Sequence, residues 1–305
     1  MRVKKPIGKV ALWLLAGVLA VLAGRFAGFG GRQSAGAETL AESAGQAVRL
    51  TILATTDVHG NIWPYDYLRG RPRERGLAKV ASYVKRVRAR RPNTLLVDCG
   101  DTFQGTPLAY LAATKYLAEA NPVVAAMNAM GYDAMAVGNH EFNFGLTTLW
   151  QLKEQAEFPL LGANVVSTYH GSLRDFEPYV IRTVGGVRVA ILGMVTPSVP
   201  RWDPPAHRVG YRFGDLVETA RRYVPKLRRK ADLVILIIHS GLGRDEETGA
   251  RREPLYPEED RVWDIAEAVP ELDAIFFGHS HRELAGKEVN GVLLVQAKNW
   301  AQSVA

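Results

Sequence analysis

The sequence predicts an α/β fold with a mixed sheet or two stacked sheets, and three observations carry that prediction. From residue 49 onward, short apolar runs of strand length alternate with amphipathic stretches of helical spacing. Two turn pairs, Gly185-Gly186 and Asn290-Gly291, sit between β-rich segments in the manner of hairpins. Polar loops follow the buried runs, where the carboxyl ends of strands in an α/β sheet form its functional edge.

Taken in order, residues 1–9 carry four positive charges and residues 10–24 form a 15-residue apolar run that Arg25 ends. A basic stretch before an apolar core of about 7–15 residues is the pattern of an export signal, whereas a bilayer-spanning helix needs roughly 20 apolar residues. Residues 1–24 are therefore read as a signal peptide or, if uncleaved, an N-terminal membrane anchor. Candidate cleavage sites are Val21-Leu22-Ala23 and Ala35-Gly36-Ala37, and no cysteine follows the run to take a lipid. Either way the expected location is extracytoplasmic, in the periplasm, the cell envelope or the medium. Residues 25–48, rich in Gly, Ala, Ser and Gln, read as a flexible linker, and residues 49–305 as one domain.

The 305 residues are 47% hydrophobic and 23% charged, which excludes disorder, collagen-like repeats and a multi-span membrane protein. A single cysteine, Cys99, excludes an intramolecular disulfide framework and a Cys-based zinc cluster. At the end of an apolar run, it reads as a small buried thiol. The net charge of +7 suggests nucleic acid until its distribution is seen. Arg2, Lys4, Lys5, Lys9, Arg25 and Arg32 precede the first acidic residue, leaving 32 basic residues against all 31 acidic ones. No polymeric nucleic acid partner is expected, and membrane contact only through the leader.

Predicted strands cover residues 50–54, 94–97, 134–137, 187–194, 233–238 and 274–277. Leu77, Val80, Ala81, Val84 and Val87 share one face of a helix, with most of Lys79, Lys85, Arg86, Arg88, Arg90 and Arg91 on its solvated side. Five polar clusters follow strands: Asp57-Val58-His59, Gly100-Asp101, Gly138-Asn139-His140-Glu141, His239, and Gly278-His279-Ser280-His281. Five of the seven histidines lie there, and only His170 and His207 lie elsewhere. Each cluster alone has a plainer reading: a turn carboxylate, a tight turn, a helix cap by Asn139 or His140. Together, Asp57, His59, Asp101, Asn139, His239, His279 and His281 offer too many ligands for one ion but suit two with a bridging carboxylate.

In this order the clusters resemble the calcineurin-like metallophosphoesterase superfamily over residues 50–305. Within it the chain is similar to the catalytic domain of the 5′-nucleotidase family, most of all the branch with 2′,3′-cyclic-nucleotide 2′-phosphodiesterase/3′-nucleotidase. Tyr65-Asp66-Tyr67, the approach Asn93-Thr94-Leu95-Leu96-Val97-Asp98, Asn139 through Leu146, and the closing Val289-Asn290-Gly291 and Val295-Gln296-Ala297 carry that likeness. The resemblance implies a four-layer α/β/β/α sandwich with mixed sheets and two divalent ions at the strands' carboxyl ends. By position, Asp57, His59 and His281 would hold one ion, Asn139, His239 and His279 the other, and Asp101 would bridge. Mixed oxygen and nitrogen donors suit Mn²⁺, Zn²⁺, Fe²⁺ or Co²⁺ over Ca²⁺. Such ions neutralise phosphate charge and activate water near neutral pH.

His140 is then left as a non-ligand that can protonate the leaving oxygen. The 5′-nucleotidase branch usually follows it three residues on with Asp; here, as in the cyclic-phosphodiesterase branch it resembles, stands Asn143, an amide that can orient the ring without adding charge. Asn143 moves the expected substrate from 5′-nucleotides towards 2′,3′-cyclic nucleotides and 3′-nucleotides. The alternatives are a 5′-nucleotidase or nucleotide-sugar hydrolase, or a catalytically weak metal-binding envelope module. The family's C-terminal nucleotide-binding domain is not expected within residues 49–305. Trp63, Tyr65, Tyr67 and Phe103 are either stacking surfaces for a base or packing residues. No P-loop or dinucleotide fingerprint occurs.

Overall fold

The computed structural model describes residues 47–169, 175–253 and 256–305; the leader, the linker to residue 46 and His170 lie outside them. Leu50–Ala305 form one compact unit. All six predicted strands are present, most with boundaries moved by a single residue.

One sheet orders Thr51–Thr55, Thr94–Asp98, Ala134–Ala136 and Leu160–Leu161, parallel throughout. The other orders Leu284–Val289, Val292–Gln296, Ala274–Phe277, Leu233–His239, Val187–Val195 and Tyr179–Val184. Its centre is parallel and both edges are antiparallel hairpins, turned at Asn290-Gly291 and Gly185-Gly186 as expected. The mixed character therefore belongs to this sheet alone.

The layers follow from side-chain alternation along each strand. Leu95, Val97, Ala134 and Ala136 of the first sheet meet Val189, Ile191, Ile235, Ile237 and Phe276 of the second, forming an inter-sheet core. The intervening residues face outward: Leu53, Leu96 and Met135 pack under the helices Leu77–Arg90, Pro122–Met130 and Leu146–Gln155. Leu192, Met194, Leu236, Ile238 and Ile275 pack under Leu216–Arg228 and Val262–Ala268. The result is helix, sheet, sheet, helix, the expected four layers. A strand buried on both faces must be apolar at every position, which is why these runs do not alternate polar and apolar. Each fully buried Leu, Ile or Phe stabilises the stack by about 1.5–3 kcal/mol.

Helix Leu77–Arg90 buries Leu77, Val80 and Val84 as its spacing predicts. Of its basic residues, Arg88 is not merely solvated, since its guanidinium donates to Met130 O and Gly131 O at 2.5 and 2.7 Å. Among the described residues, no helix is long and apolar enough to cross a membrane.

Candidate metal centre

The loops after five strands meet because their backbones are bonded to one another. Asp57 N, His59 N and Gly60 N donate to Gly100 O, Asp101 O and Thr102 O at 2.8–2.9 Å, tying the first loop to the second. The Glu141 carboxylate accepts from Asp101 N, Thr102 N, Phe103 N and Gly138 N at 2.6–3.2 Å, tying the second to the third. Asp101 Oδ1 accepts from His140 N at 2.8 Å, and Asp57 accepts from His279 N at 3.1 Å, which brings in the last loop.

This approach leaves no room for side chains at the motif glycines. A Cβ on Gly138 would lie 2.2 Å from Asp101 Oδ1, and one on Gly278 1.9 Å from Thr56 Oγ1. Asp57, His59, Asp101, His279 and His281 all adopt left-handed backbone, with φ between 48° and 75°. That conformation costs a non-glycine residue about 1–2 kcal/mol, so the surrounding packing imposes it here.

Six of the seven candidate side chains fall into two groups. Asp57, His59 and His281 bring ligand atoms within 4.8 Å of one another, and so do Asp101, His239 and His279. His59 Nε2 lies 3.0 Å from His281 Nε2, and His239 Nε2 lies 2.9 Å from Asp101 Oδ2. Asp57 Oδ1 stands 3.3 Å from His281 Nε2 and 4.0 Å from both His59 Nε2 and His239 Nε2, on the boundary between the two groups. Asn139 is not a capping residue, for its side chain makes no capping hydrogen bond to the 3₁₀ turn His140–Phe142. Its Oδ1 is buried with no hydrogen-bond partner among the described residues. Such orphaned atoms are costly unless a further group satisfies them.

The outer ring nitrogens are engaged, so the inner ones are aimed. His59 Nδ1 contacts Gln104 O at 2.8 Å, His239 Nδ1 contacts Cys99 O at 2.9 Å, and His279 Nε2 contacts Glu259 Oε1 at 2.7 Å. Asn299 Nδ2 lies 3.3 Å from His281 Nδ1. At His59, His239 and His279 an oxygen on the far ring nitrogen holds the imidazole, as in metal-binding histidines, whereas His281 meets an amide nitrogen. Two groups of carboxylate and imidazole donors, four of the six residues buried, fit divalent metal ions.

Electrostatics agree. Burial alone would raise Asp101, but His239, then His140 and His59, hold its carboxyl well below the usual range. His239 is pushed up to about 10: burial opposes this, and the Asp101, Asp57 and Glu141 carboxylates outweigh it. The centre thus demands positive charge between its carboxylates. Asp98, enclosed on the strand beneath, is pushed up to about 7 by burial against hydrogen bonds from Thr55, Thr102 and Gly100 N.

Several contacts were not readable in the sequence. Glu259 lies 20 residues before its partner His279, on a loop with no periodic signal. Asp203 accepts from Asn143 Nδ2 at 2.9 Å, and Asn143 Oδ1 in turn contacts His140 Nδ1. His207 does not lie apart, since its Nδ1 is 3.7 Å from Asp203 Oδ1. Cys99 is a buried thiol, raised well above its ordinary pKa by burial. Phe103 is buried and packs, whereas Trp63 and Tyr65 are exposed.

Stacked sheets with a two-cluster, oxygen-and-nitrogen centre at their carboxyl edge define the class, a metallophosphoesterase. The calcineurin-like phosphoesterase family matches residues 50–283, and the chain belongs to that family. It is 35% identical over 286 residues to 2′,3′-cyclic-nucleotide 2′-phosphodiesterase/3′-nucleotidase of Haemophilus influenzae, covering 85% of this chain and 42% of that protein. It is 32% identical over 289 residues to a 5′-nucleotidase of Vibrio cholerae serotype O1, covering 86% and 48%. The crystal structure of the calcineurin-like phosphoesterase YfkN from Bacillus subtilis superposes with a TM-score of 0.72 at 33% identity, covering 84% of this chain and 83% of that one. The chain thus spans less than half the length of these two curated relatives.

Proposed function

We propose that the chain is an exported two-metal phosphoesterase acting on nucleotide phosphoesters, with 2′,3′-cyclic nucleotides and 3′-nucleotides preferred. Asp57, His59 and His281 would hold one divalent ion and Asn139, His239 and His279 the other, with the Asp101 carboxylate available to both. The observation that carries this reading is the pair of Asp and His ligand clusters, Asp57, His59 and His281 and Asp101, His239 and His279. Bound there, the ions (Mn²⁺, Zn²⁺, Fe²⁺ or Co²⁺) supply charge neutralisation and water activation.

The chain's own residues do the rest. Glu141 and the interlocked loops hold the ligands in place before substrate arrives, so little reorganisation is needed. His140 is no ligand; its ring is half-buried beside the site, with Nε2 3.8 Å from Asp101 Oδ2. From there it donates a proton to the leaving oxygen, a step usually worth about 10²–10⁴-fold. The likeness to the Haemophilus influenzae enzyme, together with Asn143, supports the cyclic-nucleotide preference. The likeness to the Vibrio cholerae protein supports a second reading, a 5′-nucleotidase. Export rests on the basic start and the apolar run of residues 10–24; N-terminal sequencing of the protein from the producing cells' envelope fraction tests it.

The deciding experiment pairs elemental analysis of the purified protein with rates on 2′,3′-cyclic AMP, 3′-AMP and 5′-AMP, before and after chelation. Two divalent ions per chain and chelator-sensitive turnover, fastest on the cyclic substrate, are expected. Fastest turnover on 5′-AMP selects the second reading. A metal-replete protein inert on every phosphoester overturns both and leaves the weak metal-binding module.

A further inference from the structure

We propose that Asp203 is a positioning residue that acts on His140 through the amide of Asn143. The contacts run in one line. Asn143 Nδ2 donates to Asp203 Oδ1 at 2.9 Å, and Asn143 Oδ1 meets His140 Nδ1. An ionised carboxylate only accepts hydrogen bonds, so it takes the NH₂ end of the amide. The carbonyl end is thereby left to the imidazole, which must donate from Nδ1. Nε2, on the side of Asp101 Oδ2 at 3.8 Å, is thereby left as the nitrogen that takes up the proton and gives it to the leaving oxygen. An amide with no such partner can present either end to the ring and selects no tautomer.

Asp203 has no other evident duty. It is 4% exposed, yet among the described residues its carboxylate makes one side-chain hydrogen bond, the one to Asn143. Oδ2 has no hydrogen-bond partner among the described residues, nor does His207 Nδ1, which lies 3.7 Å from Asp203 Oδ1. A carboxylate buried only for stability would be fully bonded, since each unmet lone pair is costly. The residue closes the short helix Val199–Trp202, whose Trp202 ring packs 5.6 Å from His279. One segment therefore reaches both the acid–base residue and the ligand loop opposite. Asp203 restores, one amide removed, the negative charge that a carboxylate at position 143 would supply.

The rate arm of the test rests on the phosphoesterase reading; the spectroscopic arm does not. Long-range ¹⁵N–¹H spectra of the full chain, above the imidazole titration, are expected to show His140 protonated at Nδ1. In Asp203→Asn the Nε2-protonated form is expected to appear. A wild-type His140 protonated at Nε2 overturns the proposal, whether or not any variant folds. In kinetics, Asp203→Asn should lower kcat about tenfold with KM within about twofold, part of what a positioned acid–base group contributes. Adding Asn143→Asp should return kcat to within about threefold of wild type, which a merely structural role for Asp203 would not do. An unchanged kcat in Asp203→Asn, or no rescue in the double variant, also overturns it. A wild-type chain inert on all phosphoesters sinks the function reading, while the spectra still judge Asp203.

Discussion

The two edges of the stacked sheets use the same residue type in opposite ways. At the amino edge, Asp133, Asp232 and Asp273 each directly precede a parallel strand. Each accepts the N–H of a neighbouring strand residue, Leu96, Arg188 and Val234, at 2.7–2.9 Å. Asp232 and Asp273 also pair with Arg188 and Arg228 at 2.8 and 2.5 Å. At the carboxyl edge, Asp57 and Asp101 follow their strands, adopt left-handed backbone, and are buried against imidazoles. A carboxylate before a strand meets N–H groups and solvated arginines, and so is satisfied. A carboxylate after a strand, enclosed between two sheets, gathers charge that the protein alone does not balance. Direction along the strand, not residue type, separates framework from chemistry.

The sharpest way to break this comparison is Asp101→Asn. It should cost at least about 10²-fold in chelator-sensitive turnover and lower the bound metal on elemental analysis, because an amide lacks the charge to share between two cations. Unchanged turnover would erase the distinction between the edges.

A smaller effect is expected from the two kinds of glycine. Gly278→Ala drives a methyl into Thr56 Oγ1 and Asp57, and should destabilise by about 2 kcal/mol while lowering turnover. Gly186→Ala, at a hairpin with φ +81° and nothing within 4 Å, should cost only about 1 kcal/mol and leave turnover unchanged. Denaturant titrations with parallel rates would show whether the carboxyl edge is the sterically tight one.

The smallest effect belongs to the amino edge. Asp232 is held down at about 2 by hydrogen bonds from the Arg188 side chain and backbone. A carboxyl lowered in the folded state adds stability above its ordinary value near 3.8, which fades as pH falls towards 2. Asp232→Asn should therefore shift the unfolding midpoint slightly at pH 7 and not at all at pH 2, the pair being about half-exposed and solvent-screened. An activity change in this variant would mean that the edges are coupled.

Much of this was legible in the order of residues, and some was not. The strand runs and the Gly185-Gly186 and Asn290-Gly291 turns follow from local preferences, which act over a few residues. The six clustered Asp and His side chains were legible because each stands within a few residues of a strand end, and strand ends in such folds share an edge. Asp203, Glu259 and Asn299 carried no such mark. Each sits on an irregular segment and meets its partner only because unrelated stretches of chain were packed together.

By itself, then, the sequence determined the strands, the turns, the buried thiol and the residues gathered at one edge, since hydrophobic runs and short motifs act locally. Only the tertiary structure decided that one sheet is parallel throughout, that five of the six clustered residues adopt left-handed backbone, and that a distant carboxylate stands behind Asn143. Those depend on close contacts between segments far apart in the chain, and no local preference specifies such contacts.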